Sequence, residues 1–501
     1  MSSMHNILCD LSLGHISSGF SGIPQDTRFL FSNLTASSKL KLTGHLFGVG
    51  QDPFQPQLVD STIGISDDEK VAIFLGCYLQ GIDMAKDPSR ARRIISTLFP
   101  SSMRFYKALD RRSLFKKTDF ELHNIPEKFH DSIWRQFFAA SIPAKCQENL
   151  LRADYKYSSL SVSRIAHAVH GRVNTPKLDT RGFDFAIFQD SRHVELTNRT
   201  IPIIRYHDGL PFFCSDTMKN MYLTLHHSQS IRLIEASNSN PIYVCNSTSS
   251  LDDLSLISDK LASTAHVIPY FLPAMKKPEI SFSILEDIVE MRKSPSTLPA
   301  EKKTNTQLWF NGKKEIPKFI MTLSTIEPRK NIPGLIDAWL KLRHKTNEDI
   351  KLLVVGKPGW EFERTLKAMR PHVKKGDLMH LEGVAQHELP YLYAAASCFV
   401  FPSFGEGFGL PPNEAMQCDC PVAVSDIPAH RYSCGDAALY FNPYDIDDMV
   451  ASIEQLINTN KNSNMIKELI EKGHKNVDRY SLSTVLPQWE NLFDKLKAER
   501  N

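Results

Sequence analysis

In the last third of the chain, short uninterrupted apolar runs alternate with longer stretches whose hydrophobic positions recur at helical spacing. The runs FIMTL (319–323), KLLVVG (351–356), LMHLEG (378–383), SCFVFP (397–402), PVAVSD (421–426) and AALYFN (437–442) predict strands buried on both faces. Between them IPGLIDAWLKLRHK, FERTLKAMRPHVKK, HELPYLYAAA and NEAMQC, and after the last IDDMVASIEQLINT, predict helices. This alternation predicts a doubly wound parallel α/β domain over about 317–481.

The first half is less regular. NILCDLSL, FDFAIFQD (183–190), IPIIRYHD (201–208), PIYVCNS (241–247) and HVIPYF (266–271) predict a second open sheet in a domain spanning 1–280. Residues about 45–180 have a mixed, mostly helical pattern and are expected to form an insertion in that domain. The Lys-, Pro-, Ser- and Thr-rich stretch 281–316 is expected to be an exposed linker with one short helix. The amphipathic tail 482–501 predicts a final helix.

A chain of 501 residues exceeds what one core usually serves, in keeping with two domains. The 59 Lys and Arg against 56 Asp and Glu leave a net charge of +3, too mild for a dedicated nucleic-acid binder. Nine cysteines show no paired metal-ligand spacing, so they are expected to be reduced thiols in a cytoplasmic protein. The N-terminus lacks a signal-peptide pattern, and there is no run of ~18 apolar residues to cross a membrane. Between Arg90 and Lys117 nine basic residues face one acid, Asp110, with aromatic residues interleaved; this is either a surface for anionic lipid or a solvated helical face.

Chemistry is expected just after strands, where open parallel sheets bind ligands. After FIMTL, Arg329 and Lys330 precede a helix expected to begin near Pro333, and two cations beside a helix N-terminus suit a diphosphate. A basic turn solvated at the surface would read the same way. After SCFVFP comes SFGEGFGLPPNEAM, in which Gly405, Gly407 and Gly409 let the backbone approach a ligand before a helix expected near Asn413. Glu406 and Glu414 can both point into the same cleft, where carboxylates accept hydrogen bonds from vicinal sugar hydroxyls.

STIEPRKN, LEGVAQHELPYLYAAASCFVFPSFGEGFGLPPNEAM and PVAVSDIPAH resemble the retaining glycosyltransferases of family 4, strongly over about 317–445 and more weakly before that. The resemblance implies the GT-B fold, with two facing Rossmann-like domains and a cleft between them, and a final helix crossing back to the first domain. It implies transfer of a hexosyl group, mannose or glucose, from a nucleotide diphosphate sugar such as GDP-mannose to a hydroxyl of a glycan or lipid-linked acceptor, as in polysaccharide biosynthesis. Arg329 and Lys330 match the diphosphate pair, Glu406 the acid facing the transferred sugar, and Glu414 the acid on ribose. Gly383 and Val384 match the nucleobase position, and Phe408, Gly409 and Leu410 the amides approaching sugar and phosphate. In the first domain, the loop GHISSGFSGIPQDTRFL with Gly22 matches the phosphate- and acceptor-covering loop, and His207 with Asp208 the polar position against the transferred sugar. An isolated His-Asp pair is more often a local capping motif, but its place after a strand favours the site. No cofactor and no metal are expected, because the two cations supply the charge a divalent ion would. A sugar-nucleotide hydrolase or epimerase of the same fold, or a non-catalytic carbohydrate-binding protein, is the alternative.

Overall fold

The computed structural model describes residues 4–14, 22–48, 119–161, 174–197, 199–217, 221–236, 240–297, 305–458 and 463–500, with isolated positions between 66 and 75 and between 165 and 169. The apolar runs of the first half become strands of one sheet, joined by three strands outside those runs: β1 (His5–Asp10), β2 (Leu40–Gly48), β3 (His123–Asn124), β4 (Asp154–Ser161), β5 (Phe185–Phe188), β6 (Ile201–Tyr206), β7 (Ile242–Cys245) and β8 (His266–Val267), the three being β2, β3 and β4. Their order is β8-β7-β6-β5-β1-β2-β4-β3. All neighbours are parallel except β3 on β4. HVIPYF yields only a two-residue strand, because Pro269 has no N–H for the ladder, and Tyr270 turns into the contact between domains beside Phe408.

The second sheet contains β9 (Phe319–Leu323), β10 (Lys351–Val355), β11 (Leu378–Leu381), β12 (Cys398–Phe401), β13 (Val422–Ser425) and β14 (Leu439–Phe441), all parallel, in the order β11-β10-β9-β12-β13-β14. Successive residues of one strand serve opposite cores: Phe319 and Met321 pack on one face, Ile320 on the other. Most strand residues are therefore apolar, with Thr322, Lys351, His380 and Ser425 as buried polar exceptions, which is why these runs stand out. The strand order reverses between β9 and β12, and a crevice opens at their carboxyl ends.

The helices that position the site are α1 (Ile23–Leu34), α2 (Thr248–Ile257), α3 (Phe282–Arg292), α4 (Ile332–Thr346), α5 (Leu410–Gln417), α6 (Pro428–Cys434) and α7 (Leu482–Ala498). Val485, Trp489, Leu492, Phe493 and Leu496 of α7 lie in the core of the first domain. The chain crosses between domains where Leu272 N–H donates to the Tyr480 carbonyl at 3.0 Å and Gln417 Nε2 donates to the Pro273 carbonyl at 2.8 Å. No described helix is long and apolar enough to cross a membrane.

Two expectations need correction. The described part of the supposed helical insertion supplies β4, parallel to β2 from Thr43 opposite Asp154 to Leu46 opposite Tyr157, and buries Phe137, Phe138 and Leu150 in the domain core. Likewise the supposed exposed linker carries α3, whose Leu285, Ile288 and Val289 join Trp309 and Phe310 in the core of the second domain. In both places a polar average concealed a few well-spaced apolar positions. The basic stretch Arg90–Lys117 lies outside the described residues.

Candidate active site

Arg329 and Lys330 follow β9, and Glu406 follows β12, so the strand reversal brings residues 76 positions apart to one crevice. Arg329 Nη1 lies 2.8 Å from Glu406 Oε2 and donates to the Gly405 carbonyl at 2.6 Å, while its Nη2 donates to Glu327 Oε1 at 2.7 Å. Lys330 Nζ donates to Glu406 Oε1 at 2.6 Å, over the face of Phe401. Burial pushes the Glu406 carboxyl up, but the two cations outweigh it and hold it well below the usual carboxylate range. Burial and the neighbouring guanidinium lower the Lys330 ammonium. For Glu327 and Asp208, by contrast, burial outweighs the same cations, and both carboxyls are raised. Each helix here begins slightly earlier than the prolines suggested, at Ile332 and Leu410.

Glu414 sits on the first turns of α5, buried, and is not joined to that cluster. Its Oε2 accepts from Tyr393 Oη at 3.0 Å and its Oε1 from Gln25 Nε2 of α1 at 3.3 Å, a bond between domains. Gln25 follows Gly22, which caps α1 at φ 63°, ψ −137°, a conformation only glycine adopts readily. The rest of the glycine loop, residues 15–21, lies outside the described residues. Phe408 buries its ring among Tyr270, Tyr432 and Tyr480, so only its backbone can serve a ligand. Gly409 (φ 85°) and Leu410 start α5. Gly383 (φ 67°, exposed) and half-buried Val384 end β11, two strands along the sheet from β9.

His207 and Asp208 end β6 and meet the donor loop from the opposite side. A Cβ placed on Gly407 would stand 2.1 Å from the His207 carbonyl oxygen and 3.0 Å from Asp208 Cβ. Ser247, which caps α2, donates from Oγ to the Gly407 carbonyl at 2.7 Å. Four polar side chains escaped the sequence reading: Gln25, Tyr393, Ser247 and His430. His430 lies within PVAVSDIPAH; its Nδ1 is 2.9 Å from the Ser425 carbonyl and its ring backs Gly409.

Burial lowers His45 and His207 to about 3 and His430 to about 4. An unfolded histidine protonates near pH ~6.5, whereas these three resist until far lower, so the unfolded state binds more protons in between. Stability should therefore rise with pH across this window and be lost as pH falls below ~6.5, by about 1.4 kcal/mol per pH unit per histidine. Thermal unfolding followed from pH 7.5 to 5 should show the midpoint dropping steeply; a flat profile would contradict the burial.

Residues 303–475 match the family model described as glycosyl transferases group 1. That match falls on the second domain. Relatives of the chain include O-antigen chain mannosyltransferase B of Escherichia coli, 41% identical over 27% of this chain and 36% of that one. O-antigen chain mannosyltransferase RfbU of Salmonella typhimurium is 31% identical over 35% of this chain and 47% of that one. The chain thus matches less than half the length of either relative. Solved structures extend the likeness to the whole fold. Sucrose-phosphate synthase from Thermosynechococcus elongatus aligns over 99% of this chain and all of that one, with a TM-score of 0.54 at 11% identity. Anabaena HepE in complex with UDP and glucose aligns over 98% of this chain and all of that one, with a TM-score of 0.52 at 13% identity. At such identity they establish the architecture, GT-B, for the two domains together.

Proposed function

We propose that the chain is a retaining, family 4 glycosyltransferase that moves a hexosyl group, with mannose from GDP-mannose the first choice, to a hydroxyl of a glycan or lipid-linked acceptor. The observation that carries this reading is the cluster of Arg329, Lys330 and Glu406 at the strand reversal, with the His207 carbonyl and Asp208 packed against the neighbouring Gly407. A diphosphate is the natural competitor of Glu406 for those two cations. As the glycosidic bond to the diphosphate breaks, negative charge grows on the leaving group, and preorganised cations and loop amides stabilise that state most. Glu406, released from the cations by the diphosphate, is then placed to accept from hydroxyls of the transferred sugar, while Glu414 takes ribose with Gln25 beside it. The naming of relatives as mannosyltransferases supports the sugar, and the O-antigen in their names a polysaccharide acceptor.

In this reading Arg329 and Lys330 supply the cationic charge, so no divalent ion enters the reaction. Purified protein given GDP-mannose and a mannose-ended acceptor should form an α-linked product, seen by anomeric proton NMR, at a rate unchanged by EDTA. A β-linked product would refute retention, and loss of activity in chelator would refute metal independence. Free mannose without a linked product would favour the hydrolase alternative. For a lipid-linked acceptor the enzyme works at the cytoplasmic membrane face, with Arg90–Lys117 meeting anionic lipid. Vesicles rich in phosphatidylglycerol should then pull the protein down at low salt and release it at high salt; absence of binding at low salt would remove the membrane from the proposal.

A further inference from the structure

Among the described side chains only two Phe, Tyr or Trp rings are exposed, Phe213 at 49% and Tyr444 at 77%. Both adjoin the loop that carries Glu406. Tyr444 follows β14 and stacks on Phe404, with ring centroids 4.8 Å apart and planes 22° from parallel. Phe404 N–H donates to the Arg329 carbonyl at 2.9 Å, so one backbone bond ties the stacked pair to the cation cluster. Tyr444 is anchored beside the same cations: the carbonyl of Pro443 accepts from Asn331 Nδ2 at 3.0 Å, and Asn331, next to Lys330, caps α4. Tyr444 N–H donates to Asn442 Oδ1 at 3.0 Å. On the first-domain side, Phe213 ends the one-turn helix Leu210–Phe213, whose Leu210 packs with Cys214 against Gly405. The seam between the domains thus carries an exposed aromatic residue on each side of residues 404–405.

A stacked aromatic pair left in water offers apolar area for a ligand to cover. Its place says which ligand. On the reading above the donor runs along the second sheet, with its base at Gly383 and Val384 after β11, its diphosphate at Arg329 after β9 and its sugar at Glu406 after β12. The strand order continues through β13 to β14, so Tyr444 lies past the sugar end of the donor and away from the base. The acceptor is the substrate left to fill that end. Charge narrows the choice. Asp445, Asp447 and Asp448 follow Tyr444 and are all exposed, which disfavours an anionic headgroup and leaves an uncharged ligand. A pyranose ring is uncharged and presents a face of C–H groups to the negative face of an aromatic ring, with hydroxyls around its rim.

We propose that Tyr444, stacked on Phe404, and Phe213 form a subsite for a glycan acceptor, taking a sugar unit behind the one that reacts. This rests on the reading of the chain as a glycosyltransferase that uses a glycan. Contacts with a sugar remote from the reacting hydroxyl are the same before and during the reaction, so they act on the KM of the acceptor. A chain of sugars is therefore a better acceptor than a single one.

The test uses the full chain with GDP-mannose and two acceptors, methyl α-mannoside and an α-linked mannotetraose. Wild type should show an acceptor KM on the order of 10-fold lower for the tetrasaccharide. In Tyr444→Ala that ratio should fall toward one, in Phe213→Ala part-way, and Tyr444→Trp should keep it. Saturation-transfer difference NMR of mannotetraose without donor reads the same contact apart from turnover: wild type should saturate the sugar ring protons and Tyr444→Ala should not. A wild-type ratio near one, a ratio unchanged in both alanine variants, or no tetrasaccharide signal from the wild type overturns the subsite. So does a Tyr444→Ala protein that keeps the tetrasaccharide signal but loses binding to phosphatidylglycerol vesicles or self-association in sedimentation, since the ring would then be a membrane or subunit contact. If the NMR signal depends on Tyr444 but no sugar nucleotide is turned over, the subsite stands and the assigned function falls.

Discussion

Arg329→Ala should lower kcat for sugar-nucleotide turnover about 10²- to 10³-fold, the usual loss when one preorganised donor is taken from a developing negative charge. The guanidinium does three things at once: it pairs with Glu406, donates to the Gly405 carbonyl and bonds to Glu327. Without it Lys330 alone faces Glu406, Glu327 and Asp208, and a buried acid left short of its cation costs about 3–5 kcal/mol, part of which appears as lost stability. The carboxyl of Glu406 should then titrate higher, so the acid limb of any remaining activity moves to higher pH. Arg329→Lys should rescue little, because a single ammonium cannot span three acceptors held by two guanidinium nitrogens. Steady-state kinetics beside near-UV circular dichroism decides the matter. A folded Arg329→Ala protein with wild-type turnover would remove the ion cluster from the reaction.

Gly407→Ala is expected to cost about 10²-fold in kcat while leaving each domain folded. A Cβ there meets the His207 carbonyl at 2.1 Å, and backbone cannot yield as a side chain can. The loop must retreat by roughly 1 Å, which is enough to misalign reacting groups by that factor, and the Ser247 bond to the Gly407 carbonyl is lost with it. Gly405→Ala provides the contrast. Its Cβ would meet only Cys214 Sγ at 2.7 Å and a Leu210 methyl at 2.9 Å, both ends of side chains that can rotate, so its loss should be smaller. Equal activity of Gly407→Ala and wild type would show that the two domains need not approach this closely during turnover.

How much of this was legible beforehand differs between the two halves for a physical reason. In the second domain, strands such as Phe319–Leu323 and Lys351–Val355 are covered on both faces, so nearly every position is apolar and the run announces itself. In the first domain β4 lies near the sheet edge and alternates Tyr155 and Tyr157 with lysine and serine, a pattern easily lost beside a helical prediction. Helix α3 was expected, but the burial of its Leu285, Ile288 and Val289 was hidden by the lysines and prolines around them. Motif and place agreed for Arg329, Lys330 and Glu406 because each follows a strand whose end lies at the reversal of the sheet.

The sequence by itself determined that there are two α/β layers, which loops reach the crevice, and which charged residues those loops carry. Those properties depend on local periodicity and on residues close together in the chain. Only the tertiary structure decided what the charges do: Glu406 is tied to both cations, whereas Glu414 is paired with Gln25 across 389 positions of sequence. It also decided that Asn246 and Tyr270 stand behind His207 and that Gly407 touches its carbonyl. Single polar residues far apart in sequence leave no periodic trace, and their partners are set by how the two sheets come together.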